Sequence, residues 1–163
     1  MIALALGLLA METDALALSC AEPQLGQVLD AVRDANGSQV VAVGAVVFPD
    51  GPPDPKQALV RPTEVDLGRV SAASGRFTGT LIGPGTRREV KDLEVRVEVT
   101  CISAWCGWVP VVDAEHPAWL HVLQVTGDPA SPGYTLTLGA CGGTVFAPPP
   151  AAEIDAFSAS WTP

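Results

Sequence analysis

The stretch Leu93 to Thr100 constrains the fold more than any other part of the sequence. Leu93, Val95, Val97 and Val99 alternate without a break with Glu94, Arg96, Glu98 and Thr100. Side chains of a strand point to opposite faces in turn, so this predicts a strand with one face in a core and one in water. Val40 to Phe48 (VVAVGAVVF) is β-branched and almost continuously apolar. It predicts a strand buried on both faces or strongly curved, with Gly44 at a bulge or bend. Arg76 to Ile82, Ala118 to Val125 and Tyr134 to Leu138 read as three further strands. Gly83-Pro84-Gly85 turns the chain ahead of the alternating strand, giving a hairpin, and Gly127 to Gly133 joins the last two. Thr63 to Val70 reads at most as a short edge strand, and Pro49 to Pro62, with five prolines, as a surface loop.

Leu25, Val28, Leu29 and Val32, at i, i+3, i+4 and i+7, place one apolar stripe on a helix over Gln24 to Asp34, which Asn36-Gly37 stops. A second, short helix is expected over Ala151 to Phe157. The fold class is therefore mainly β: a five-stranded antiparallel closed barrel with one N-terminal helix and a short C-terminal helix. Closure suits such valine-rich strands because it leaves no edge to pair with another chain. A length of 163 residues makes one such domain rather than two.

The start of the chain reads as a targeting segment. Ile2 to Met11 is a run of apolar or Gly residues too short to span a bilayer but right for the core of a signal peptide. Ala15-Leu16-Ala17 supplies the small-x-small pattern for a cut before Leu18. The expected organisation is a signal peptide over 1–17 and a single domain over 18–163. A buried N-terminal helix is the competing reading, since no Lys or Arg precedes the run and Glu12 and Asp14 follow it. After the cut, 16 acidic side chains face 9 basic ones, and no later run is long enough for a membrane helix. The expected product is periplasmic or secreted and inserts in no membrane. Its negative charge argues against nucleic acid as a partner, because that needs a positive footprint. Arg outnumbers Lys 7 to 2 and Ala, Gly and Pro abound, as in GC-rich bacteria.

Four cysteines remain after the cut: Cys20, Cys101, Cys106 and Cys141. An even number in an exported chain predicts two disulfides, with three connectivities open. Cys101-x4-Cys106 is not the C-x-x-C of a thiol oxidoreductase, and the four lack the paired close spacings of a zinc ribbon. Lipidation of Cys20 would leave three cysteines, an odd number in an oxidising compartment.

The sequence carries few residues in catalytic arrangements. His116 and His121 are the only histidines, and on an extended chain their odd spacing points them to opposite faces, a loop histidine and a strand-surface histidine. No His-Glu-x-x-His, Gly-x-Ser-x-Gly or phosphate-loop pattern occurs. Glu94 and Glu98 share a strand face with Arg96 between them, a pattern read as a solvated face before an acid–base pair. Arg87, Arg88 and Lys91 form a small basic cluster expected to be a solvated turn. No catalytic residue, metal site or cofactor is expected. Trp105, Trp108 and Trp119 are more informative. Small barrels need bulky residues at their ends, so the leading role of Trp105 and Trp108 is to plug one end; the competing role is an exposed anchor for a partner.

Cys20-Ala-Glu-Pro23, a helix, a valine-rich strand with a glycine, the pair Cys106-Gly107, two strands and the late Cys141 together resemble the netrin-like domain. This is the OB-type barrel of the tissue inhibitors of metalloproteinases and their bacterial relatives. More narrowly, Ser19-Cys20, Cys-x4-Cys with Trp105 inside it, and Cys141-Gly-Gly with Phe146 resemble a set of exported proteins of alphaproteobacteria. The resemblance implies an OB-like fold and a Cys20–Cys141 bridge. In the family the cysteine of the Cys-Gly motif pairs with the first residue of a Cys-x-Cys start. Leu18 stands at that place here, so the resemblance implies Cys101 as the partner of Cys106. In the chain-entropy picture the long loop contributes about 5 kcal/mol and the short ring about 2 kcal/mol.

The resulting expectation is a disulfide-stabilised, non-catalytic binding or interaction module. Its contact surface would combine Leu18, Ser19 and the following residues to Pro23 with the Cys101 to Val109 turn, Trp105 and Trp108 included. The partner would be an exported or envelope protein. The alternatives are a metalloprotease inhibitor acting through a Leu18 terminus and a structural envelope protein. The inhibitor reading is weakened because the bridge that clamps the chelating residue is missing.

Overall fold

The alternating stretch is the middle of a strand roughly twice its length. A computed structural model describes Cys20 and residues 23–57, 59–60, 69–102 and 105–161. The expected signal segment 1–17, together with Leu18 and Ser19, lies outside the described residues. In chain order the elements are α1 (Leu25–Asp34), β1 (Gln39–Val47), a 3-10 turn (Pro55–Gln57), β2 (Leu59–Val60), β3 (Arg69–Gly83) and β4 (Thr86–Ile102). There follow β5 (Trp105–Cys106), β6 (Trp119–Asp128), β7 (Ser131–Leu138), β8 (Val145–Phe146) and α2 (Ala151–Ser160).

The protein is mainly β, and its five long strands pair in a closed circuit. β3 pairs with β1, β1 with β6, β6 with β7, β7 with β4, and β4 returns to β3. The expectation of an all-antiparallel set is corrected at one place: β4 and β7 run parallel, from Arg96↔Thr135 to Val99↔Leu138. The long connection from β4 to β6 leaves the direction of the last hairpin free, and parallel neighbours need such a connection. Three two-residue strands, β2, β5 and β8, join the sheet beside the five long ones.

Alternation decides what fills the ring. Val95, Val97 and Val99 point inward with no exposed surface, while Glu94 and Arg96 face water. Phe77, Leu123 and Leu136 meet them from the other strands. The expectation that β1 is buried on both faces holds, because Ala42 enters this inner cluster and Val41 a second, outer one. There α1 and α2 cover the sheet, with Val32, Ile154, Phe157 and Trp161 packed on Val41, Ile82, Leu120 and Val122. Each such side chain taken fully out of water stabilises the fold by about 1.5–3 kcal/mol.

Gly44 marks the point where two backbones nearly touch. It stands opposite Gly79, and a Cβ on Gly44 would lie 2.2 Å from the Thr78 carbonyl oxygen and 2.8 Å from the Gly79 Cα. The β3–β4 register shifts at the same place, between Phe77 and Gly79. The β1 register itself runs unbroken through Gly44, so the irregularity lies on the facing strand and Gly44 is needed for the close approach. Both hairpin turns are tighter than the sequence suggests. β6 and β7 run on until only Pro129 and Ala130 lie between them, and Asp128 accepts the Ala130 N–H at 2.8 Å. α2 extends past the expected Phe157, and its end is tied to the β3–β4 turn by the Gly85 N–H donating to the Trp161 carbonyl at 2.9 Å.

Candidate binding face

Both disulfides fall at one end of the ring. Cys101 pairs with Cys106 and Cys20 with Cys141, the pairing implied by the netrin-like resemblance. The first bridge joins residues directly opposite in the β4–β5 ladder, and the next rung outward is Ile102↔Trp105. Because Cys101 is fully buried, the alternation of the strand sends Ile102 and Trp105 the other way, into solvent. Gly107 then lets the chain lie against β7: a Cβ there would be 2.0 Å from the Leu138 carbonyl oxygen. Its N–H donates to the Thr100 carbonyl at 3.0 Å. The second bridge holds Cys20 beside the Gly142-Gly143 turn, where Pro23 packs near Gly143.

Beyond Gly107 the chain builds an aromatic stack. Trp108 rests in a small crevice with Leu138, Gly139 and Gly142 and meets Trp119 edge to face, ring centres 5.4 Å apart. His116 lies flat on Trp119 at 5.3 Å, and the Trp119 Nε1–H donates to the Val111 carbonyl at 2.9 Å. Asp113 fixes the loop by accepting the backbone N–H groups of His116 at 2.7 Å and Glu115 at 2.9 Å. The His116 amide first, then that of Glu115 and the nearby imidazole, hold the Asp113 carboxyl below its usual range, so it is ionised at neutral pH.

Trp105 and Trp108 do not plug the ring, and this corrects the leading expectation. They are 63% and 55% exposed, and Val111 is 67% exposed beside them. The interior has no room for an indole, because Phe77, Leu123, Leu136 and the valines of β4 already fill it. The competing expectation, an exposed aromatic edge, is the arrangement found. Ile102, Val111 and Val112 are further exposed apolar side chains of the same stretch of chain and were not singled out from the sequence. Val111-Val112 sits between Pro110 and Pro117 without strand or helix periodicity, so no sequence pattern marks it as exposed.

His121 is also displaced from its expected place on a strand surface. It is fully buried on the inner face of β6, its ring 6.1 Å from Phe77 and Nε2 3.4 Å from the Gly44 carbonyl. Nδ1 has no partner among the described residues. Burial pushes the imidazole from its ordinary 6.5 down to about 4, against a smaller upward pull from the Gly44 carbonyl. The cause of the misplacement is plain: β6 has the helices on one face and the ring interior on the other, so it offers a histidine no wet side.

Elsewhere the charged motifs serve structure. Ser74 donates to Glu94 at 3.1 Å, and Arg96 donates to Glu98 at 2.9 Å. Ser74, Glu94 and Arg96 line a shallow concavity of about 620 Å3 with other residues of β3, β4, β6 and β7. The basic cluster is exposed, as expected, but lies along β4 rather than in a turn. Arg87 pairs with Asp155 of α2, and Arg88 donates to the Tyr134 hydroxyl at 3.1 Å, so two of its three members tie the hairpin down. Among the described residues no group of three or more His, Cys, Asp or Glu side chains is placed to hold a metal ion. No helix among them is long and apolar enough to cross a membrane. No protein-family model, curated protein or solved structure matches the chain.

Proposed function

We propose that this chain is an exported, non-catalytic binding module that grips another exported or envelope protein through the face bearing Trp105 and Trp108. One observation carries the reading. Two large aromatic side chains stand more than half exposed on either side of Cys106, which is bridged to Cys101 and followed by the close approach of Gly107 to Leu138. Exposed indoles cost solubility, and aromatic anchors contribute heavily to protein recognition. The bridge also lowers the ordering cost of binding.

The circuit β3–β1–β6–β7–β4, with β4 and β7 parallel, supports an OB-type barrel as the scaffold. The pairings Cys20–Cys141 and Cys101–Cys106 support a netrin-like kinship, since they are the ones that resemblance implies. Two disulfides also support export to an oxidising compartment.

The test compares the wild-type protein with a Trp105→Ala, Trp108→Ala double variant as baits for extracts of the exported fraction. The expected result is a partner retained by wild type and lost by a variant whose denaturation midpoint is unchanged. A partner held equally by both proteins, or none held by either, overturns the proposal.

A further inference from the structure

The face that holds Trp105 and Trp108 has a chemical bias that narrows its partner. Segment 101–119 contains Asp113 and Glu115 and neither Lys nor Arg, and the sequence has no Lys or Arg anywhere after Arg96. Both carboxylate residues are exposed, and Asp113 lies beside the His116–Trp119 stack, its Oδ1 accepting the Glu115 and His116 amides and standing 3.4 Å from the His116 Nδ1. The register sets Arg69 opposite Cys101, outside this segment. Exposed indoles, aliphatic side chains and carboxylates therefore follow one another along this segment, and the Trp108–Trp119–His116 stack brings Asp113 next to the indoles.

We infer that this face takes a cationic segment of a partner protein, one that presents Lys or Arg side chains together with aliphatic ones. The inference rests on the binding reading above and specifies its ligand. The cations of such a segment meet the carboxylates and the electron-rich indole faces. Its aliphatic side chains then cover Ile102, Val111 and Val112, and opposite charge steers the approach. A second copy of the chain fits badly. Each copy carries a formal charge of -9, and two such faces would bring Asp113 and Glu115 against their own images. A glycan fits less well too, since the exposed Val111, Val112 and Ile102 offer sugar hydroxyls no hydrogen bond.

The test uses the full chain and three probes: a synthetic peptide of alternating Lys and Val, the same peptide with Glu for Lys, and a β-glucan hexasaccharide. Calorimetry and tryptophan fluorescence read the affinities, and sedimentation reads the oligomeric state. The Lys/Val peptide is expected to bind about tenfold or more tighter than its Glu counterpart. Raising the salt from about 0.05 to about 0.5 M should weaken it several-fold, because these charges are exposed. Glu115→Gln should weaken it severalfold while leaving the denaturation midpoint unchanged, and Trp105→Ala should abolish it.

Equal binding of the two peptides overturns the cationic inference and leaves the binding reading standing. Hexasaccharide binding without peptide binding, or a dimer that Trp105→Ala dissolves, overturns it as well. If no probe binds, the inference fails, while the extract comparison with the double tryptophan variant decides the broader reading separately.

Discussion

His121 gives the sharpest quantitative consequence of the packing. Its ring is fully buried between Phe77 and the Gly44 carbonyl, and its pKa falls from 6.5 to about 4 on folding. The unfolded chain therefore binds a proton that the folded chain refuses. Stability is complete above pH 6.5 and is lost as the pH falls toward 4. At pH 5 the linkage relation puts the loss from this one side chain at about 2 kcal/mol, out of about 3 kcal/mol at still lower pH. With a urea slope near 2 kcal/mol per M, the midpoint should drop by roughly 1 M between pH 7 and pH 5. His121→Leu removes the titrating group and keeps an apolar side chain of similar bulk. The variant should lose about 2 kcal/mol less than wild type over the same interval. Measuring between pH 7 and 5 stays above the range in which Asp113 takes up its proton. Equal losses in both proteins, or a His121 imidazole that titrates near 6.5 by NMR in the folded state, would show that burial does not hold this ring neutral.

Other consequences follow from single contacts. Gly44→Ala would drive a methyl group to 2.2 Å from a backbone oxygen that belongs to the facing strand, so the strands must part. Chemical denaturation should register a loss of about 3 kcal/mol or more. Gly26→Ala has nothing within 4 Å and lies inside α1, so it should stabilise by about 0.5–1 kcal/mol. The two bridges should also separate in the same assay. Replacing Cys20 and Cys141 by Ser opens a loop of 121 residues and should cost about 5 kcal/mol, whereas replacing Cys101 and Cys106 should cost about 2 kcal/mol. The second variant should remain folded at room temperature, while β5 loses the bridge that pairs it to β4, read as a higher rate of amide exchange at Gly107.

Much of the fold is legible in the sequence because burial imposes periods on it. The alternation of Leu93 to Thr100 and the helical stripe of Leu25 to Val32 each lie inside the elements observed. Strand ends are not legible. Thr86 to Val90 is polar enough to read as a turn, yet it forms a continuous ladder with Gly79 to Gly83, because hydrogen bonding rather than burial sustains that half of β4. The parallel β4–β7 pair is hidden for another reason. The connection between β4 and β6 is too long to fix a direction. His121 and Trp105 show the complementary limit. Whether a polar residue is buried or an aromatic one exposed depends on what already fills the interior, and here Phe77 and Leu123 do so. The candidate site was legible in its anchors, Trp105 and Trp108, and hidden in the exposed aliphatic side chains of the same stretch of chain.

The most direct test of a binding face at the disulfide end places a photo-reactive phenylalanine analogue at position 105 in the exporting cell. A second protein carries it at position 153, where Glu153 lies exposed on α2. Irradiation is expected to give a discrete covalent adduct from position 105 and none from position 153. Adducts of equal yield from both positions, or none from position 105 in a cell that exports the protein, would contradict the account.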